Sequence, residues 1–130
     1  MTIELTMLAY SVALLLGLIA LQATVGVLSQ GLIPMAGARD QLPPPKPFQA
    51  RTKRVVDNHR EGLTLFAPLV LIAAAAHIHT GATVLGAEMF FFARLAHAGL
   101  YLVGAPLVRP LAWAVGIAGT VMILAAVIGA

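Results

Sequence analysis

The chain has 130 residues, is 60% hydrophobic and 10% charged, and carries a net charge of +3 with a mean hydropathy of +0.94. A soluble domain is nearer a quarter charged, so this composition cannot cover a water-facing surface and specifies one small integral membrane domain. The absence of cysteine excludes disulfides, cysteine metal sites and a cysteine nucleophile.

The first apolar run covers about 5–29 and is long enough to span a membrane with tilt. It has no basic n-region, carrying Glu4 instead, and is too long for a signal peptide. Gly17, Ala20, Ala23 and Gly26 offer small surfaces for close helix contact. From 31 to 48, Pro34, Gly37 and the run Pro43-Pro44-Pro45-Lys46-Pro47 predict an extended loop with no helix through it. A second helix is predicted over about 50–79, charged in its first turns, apolar afterwards, and containing Pro68 as a possible kink. A third covers about 82–103 and carries Glu88 and Arg94; Gly104-Ala105-Pro106 breaks it. The fourth, about 110–130, is nearly pure hydrocarbon, with Gly116 and Gly119 as contact points. The expected fold is all-α, a single domain built as a four-transmembrane-helix bundle.

Six of the eight Lys and Arg fall between Arg39 and Arg60, and Arg109 lies in the third loop. The positive-inside rule places loops one and three in the cytoplasm and both termini outside. The pI near 10.0 therefore reads as a membrane-apposed basic segment contacting lipid headgroups, not as nucleic-acid binding.

Polar residues inside this apolar chain are costly and need partners or a function. Arg51, Arg54, Asn58 and Glu61 are spaced three, four and three, which puts them within roughly a quarter of a helix circumference. Arg94, His97 and Tyr101 repeat the three-then-four spacing on the third helix. Taking Glu61 as the point of membrane entry, Tyr101 is expected at its level, His97 about one turn deeper and Arg94 about two. The two stripes then line one pocket open to the cytoplasm and to lipid.

Arg51 and Arg54 suit carboxylates or phosphate; lipid headgroup contact is an equally simple use for them. Asn58 and Glu61 suit an amine, or fix the arginines. Arg94 is the costliest residue, roughly 2.5–3.5 kcal/mol at mid-helix, and a structural ion pair with Glu61 is its simplest explanation. His97 is a pocket wall or a satisfied core histidine, and Tyr101 a hydroxyl donor to a thiolate or an interfacial anchor. Arg109 either reaches over the pocket or enforces topology. His59 falls off the stripe and is expected to face solvent. Glu88, His77 and His79 lie toward the other end and are expected to pair among themselves. They form no metal site, since two histidines two residues apart point to different helix faces.

The segment Arg51-Thr-Lys-Arg54-Val-Val-Asp-Asn58-His-Arg-Glu61 resembles the signature of the MAPEG family, the membrane-associated proteins in eicosanoid and glutathione metabolism. Ala93-Arg94-Leu-Ala-His97-Ala-Gly-Leu-Tyr101, with Gly104, Pro106 and Arg109, is similar to the family's second block, and the Gly37–Asp40 segment and proline run are similar to bacterial members. This resemblance implies a homotrimer in the bacterial inner membrane that binds glutathione between subunits near the cytoplasmic side. Arg54, Asn58 and Glu61 then match the glutathione pocket, and Arg94, His97 and Tyr101 its third-helix wall. Arg51 and Arg109 are close companions, with Tyr101 and Arg109 as the candidates to act on the thiol. The implied activity is a transferase or peroxidase acting on a lipophilic small molecule. Catalytic eukaryotic members have a basic residue near the end of helix one; here Leu28-Ser29-Gln30-Gly31 is neutral. A non-catalytic lipid- or small-molecule-binding protein on the same scaffold is the alternative. A small multidrug-type exporter ranks last, because its embedded carboxylate would have to be Glu88, off the stripe.

Overall fold

The computed structural model describes residues 1–130 as helices and short connections, without strands. Its elements are α1 (Ile3–Gln30), α2 (Leu32–Ala36), α3 (Pro47–Ala75), α4 (Gly81–Leu102) and α5 (Arg109–Ile128). Four long helices were expected and four are present. The fifth element, α2, is a correction to the extended loop. Pro34 is tolerated there because it sits in the first turn, where its missing N–H has no helical partner to lose. Gly31, at φ +92° and ψ 152°, separates α1 from α2 in a region that only glycine enters easily.

The helix ends follow local chemistry. α1 starts at Thr2, whose hydroxyl accepts from the Leu5 N–H. α3 starts at Pro47, three residues earlier than expected, because proline's fixed φ suits the first helical position. It runs unbroken through Pro68 and stops at Ala75 rather than 79. The stop is a Schellman motif: Ile78 N–H donates to the Ala73 carbonyl at 2.8 Å and His77 N–H to the Ala74 carbonyl at 3.2 Å. His77 occupies the left-handed position at φ +57°, where a side chain is strained. His77→Gly is therefore expected to stabilise the fold by about 0.5–1 kcal/mol. A raised thermal midpoint in detergent checks this; a lowered one would show that the exposed imidazole has a role of its own. α4 ends in the same way, with Gly104 at φ +77° and Ala105 N–H donating to the Leu100 carbonyl at 2.9 Å.

α3 and α4 occupy the centre of the bundle. α1 packs on α3 and α4, and α5 packs on α3 and α4. The main core joins Leu8 of α1, Leu63, Phe66 and Val70 of α3, Ala87 and Phe90 of α4 and Ile123 of α5. The rings of Phe66 and Phe90 are stacked, with centroids 3.9 Å apart. A smaller cluster of Leu18, Val55, Val56 and Ala98 lies toward the loop end. Gly86 and Gly119 bring α4 and α5 into backbone contact: a Cβ on Gly86 would lie 2.6 Å from the Gly119 carbonyl oxygen.

Only 26 of the 130 residues are buried, while large apolar side chains such as Leu16, Leu28, Leu71, Leu107 and Leu111 are exposed. α1 and α5 are long and apolar enough to cross a membrane. An outer surface of this kind belongs in lipid, where helices satisfy their backbone groups internally.

Candidate functional site

The tight turn between Ala75 and Gly81 sets α3 and α4 antiparallel in a fixed register. Arg51 lies opposite Leu102, Arg54 opposite Tyr101, and Asn58 with Gly62 opposite Arg94. This register differs from the depth argument. Tyr101 sits beside Arg54, seven residues (about two turns) nearer the loop than Glu61. The stripes do converge, but the site extends further toward the basic loop than the apolar pattern suggested.

Arg94 is 3% exposed. Its Nη1 donates to Asn58 Oδ1 at 2.7 Å and its Nη2 to the Asn58 carbonyl at 3.1 Å. The guanidinium lies over the backbone at Gly62, where any Cβ would collide with it, and 5.5 Å from the Phe90 ring centroid. The expected ion pair with Glu61 is absent: Glu61 is exposed and makes no salt bridge. Asn58 takes that place because the register brings it, not Glu61, against Arg94.

This exchange is measurable. Asn58→Ala leaves a buried guanidinium short of an acceptor and is expected to cost about 1.5–3 kcal/mol. In a double-mutant cycle, Asn58→Ala with Arg94→Met should cost about 1–2 kcal/mol less than the sum of the single changes. Denaturation in detergent checks it; strict additivity would mean that the two side chains do not meet.

Tyr101 is the centre of the outer part. The Arg109 guanidinium carbon lies 4.4 Å from its ring centroid and that of Arg54 5.9 Å. His97, 5% exposed, meets the same ring edge-on at 5.6 Å. Neither Arg54 nor Arg109 has an ion-pair partner in the chain. Arg51 is used differently: its Nη1 donates to the Leu102 carbonyl at 2.9 Å, capping the end of α4. The candidate residues thus divide into a tethering cation (Arg51), an inner hydrogen-bonded pair (Asn58 and Arg94) and an outer cationic cluster around Tyr101. Glu61 stands at the border.

His59 is a correction. It is 3% exposed, and its Nε2 lies 2.8 Å from the Ser11 carbonyl of α1. It shares the three-and-four spaced face of Val55, Val56, Gly62, Leu63 and Phe66, all buried, and that periodicity was the signal for its burial. Histidine pairing at the far end is also corrected. His79 Nδ1 meets Glu4 Oε1 at 2.8 Å, and the Thr83 hydroxyl donates to the same oxygen at 2.5 Å. Glu88 forms no ion pair. The loop charges put the start of α1 and the start of α4 on one side of the membrane, and the packing of the two helices brings Glu4 against His79 and Thr83.

Beyond Glu61, Thr64, Leu65 and Pro68 of α3 and Ile117, Val121 and Leu124 of α5 line an almost wholly apolar groove of about 380 Å³. Thr64 and Leu65 follow Glu61 by three and four residues and so continue its face of the helix. The groove thus lies further along α3 than the cationic cluster, on the helix face that carries Glu61.

Comparison with curated proteins and with solved structures gives no match. The sequence profile of the MAPEG family matches residues 7–129. That span takes in both polar stripes and all four long helices but for the first four residues of α1, and the chain therefore belongs to the MAPEG family of integral membrane proteins.

Proposed function

We propose that the protein binds glutathione at the Arg54–Tyr101–Arg109 cluster and transfers it to small lipophilic electrophiles. The observation that carries this reading is the Tyr101 ring flanked by two guanidinium groups, neither of them paired with a carboxylate. Glutathione has two carboxylates, an amine and a thiol. Arg54 and Arg109 match the carboxylates, and the exposed, unpaired Glu61 matches the amine. In this reading the Tyr101 hydroxyl donates to the thiolate, whose unperturbed pKa of about 8.5 must fall for reaction at neutral pH. With an aromatic halide as acceptor, the thiol proton passes to solvent, the thiolate forms the new C–S bond and halide leaves with its bonding pair. The acceptor, being lipophilic, arrives from lipid.

In the membrane this reading takes four spanning helices, both termini outside and loops one and three in the cytoplasm. It places the protein in the bacterial inner membrane as a homotrimer, with glutathione held between neighbouring subunits.

A non-catalytic binding role on the same scaffold is the second reading. Gln30 favours it, standing near the position where catalytic relatives carry a basic residue. Its amide is engaged with the Pro43 carbonyl at 3.3 Å and Gln49 Oε1 at 3.2 Å.

Calorimetry with glutathione on the purified protein, followed by conjugation to an aromatic halide, separates the two. Binding and conjugation are expected. No binding at millimolar glutathione would overturn the proposal, and binding without conjugation would leave the non-catalytic role.

A further inference from the structure

The end of α4 is closed from two sources. Three of its last four carbonyls accept N–H groups of the chain that follows: Gly99 from Val103 at 3.1 Å, Leu100 from Ala105 at 2.9 Å and Tyr101 from Gly104 at 3.0 Å. The fourth, Leu102, accepts from Arg51 Nη1 at 2.9 Å. Arg51 stands in the first turns of α3, 51 residues earlier in the chain. It completes a helix end that local bonds leave one partner short. The same nitrogen lies against the following turn, since a Cβ on Gly104 would be 3.0 Å from it.

The chain beyond this point is short and lightly held. Residues 103–108 join α4 to α5, and most of them are exposed. Arg51 is the one side chain from elsewhere in the bundle that hydrogen-bonds to residues 102–109. α5 begins at Arg109, but its first buried residue is Gly116, about two turns further on. The Arg109 side chain has no ion-pair partner, and its guanidinium carbon lies 4.4 Å from the Tyr101 ring centroid. Arg54 faces the same ring at 5.9 Å. Two like charges therefore share one ring and repel, and a tether on the connection opposes that repulsion.

We propose that Arg51 is a positioning residue: by holding the Leu102 carbonyl it fixes the connection that sets Arg109 over the Tyr101 ring. Arg51 acts through Arg109 and does not itself meet the ligand. A guanidinium already in place removes the cost of ordering it from the binding step. The effect on ligand affinity rests on the glutathione reading, whereas the placement of Arg109 depends on no ligand.

The test reads the surroundings of Tyr101 directly. Meta-fluorotyrosine is incorporated into the full chain, which has two tyrosines, and Tyr10→Phe assigns the two fluorine resonances in detergent. Arg109→Ala is expected to move the Tyr101 resonance. Arg51→Ala should move it in the same direction by a similar amount, and the double variant should move it no further. Arg51→Lys keeps one donor for one carbonyl, so it should bring the resonance most of the way back. Arg51 is half-buried and lies outside both core clusters, so its truncation leaves the bundle folded. Calorimetry supplies the second reading. Arg51→Ala should raise the glutathione Kd about five- to tenfold beside the native Arg109, and less than about twofold beside Arg109→Ala. A bare loss of positive charge would add in the double variant instead. Absence of glutathione binding removes the proposed function, and the fluorine shifts still decide what places Arg109. A Tyr101 resonance unmoved in Arg51→Ala, effects of the two arginines that add, or a lysine variant no different from alanine would overturn the proposal.

Discussion

Gly119→Val is expected to be the most damaging single substitution in the chain. A Cβ at Gly119 would run into the Gly86 carbonyl oxygen, and would lie 3.0 Å from the Phe90 nitrogen and 3.1 Å from Met89 Cβ. Two of those three neighbours are backbone of α4, which cannot turn aside as a side-chain tip can. α5 would have to move off α4, opening the contacts of Ile123, which is 0% exposed. Overpacking usually costs 1–3 kcal/mol; with rigid backbone as the obstacle the expected loss is about 3 kcal/mol or more. Thermal unfolding in detergent should show a large drop in midpoint, or no folded protein should be recovered. A wild-type midpoint would mean that α4 and α5 do not cross at this pair. Gly17→Ala is the contrasting change. Nothing lies within 4 Å of a Cβ built there, so the better helix former should gain up to about 1 kcal/mol. A loss at Gly17 would instead report a neighbouring subunit packed on α1, as the proposed homotrimer requires.

Removing the outer cations should abolish most glutathione affinity. Arg54→Ala and Arg109→Ala each delete a charged hydrogen-bond donor beside Tyr101, for an expected loss of about 1.5–3 kcal/mol. That range is about a tenfold to hundredfold rise in Kd. Lysine at either position keeps the charge but loses the planar fork, so only part of the affinity should return. Tyr101→Phe keeps the ring against which both guanidinium groups lie and removes only the hydroxyl. Binding should therefore survive while conjugation slows, and the bound thiol should ionise at higher pH, read from thiolate absorbance in the ultraviolet. Calorimetry and conjugation kinetics check all of these together. Wild-type affinity in both arginine variants would place the ligand elsewhere. Unchanged turnover in Tyr101→Phe would remove the hydroxyl from the chemistry and leave an arginine to stabilise the thiolate.

The arginine, asparagine and glutamate stripe of α3 and the arginine, histidine and tyrosine stripe of α4 were legible because a helix has a fixed period. Three-and-four spacing places residues on one face whatever they pack against. The four long helices were legible for a related reason. Runs of hydrocarbon broken by Pro and Gly leave few alternatives in a chain this apolar, and composition alone determined that the surface faces lipid.

Tertiary structure decided which stripe residue meets which. The apolar pattern set Glu61 level with Tyr101. The turn at residues 76–80 instead set Tyr101 level with Arg54 and gave Arg94 to Asn58. One short turn fixes the register of two long helices, and its length depends on a Schellman motif closed by a histidine in a left-handed conformation. The sequence does not announce such a conformation, because residues other than glycine adopt it only uncommonly. Contacts between helices distant in the chain were hidden for the same reason. His59 at the Ser11 carbonyl, Glu4 at Thr83 and His79, and Arg51 at the Leu102 carbonyl join residues 48 to 79 positions apart. The period of a single helix says which face a residue occupies. Only the packing of four helices says what stands across from it.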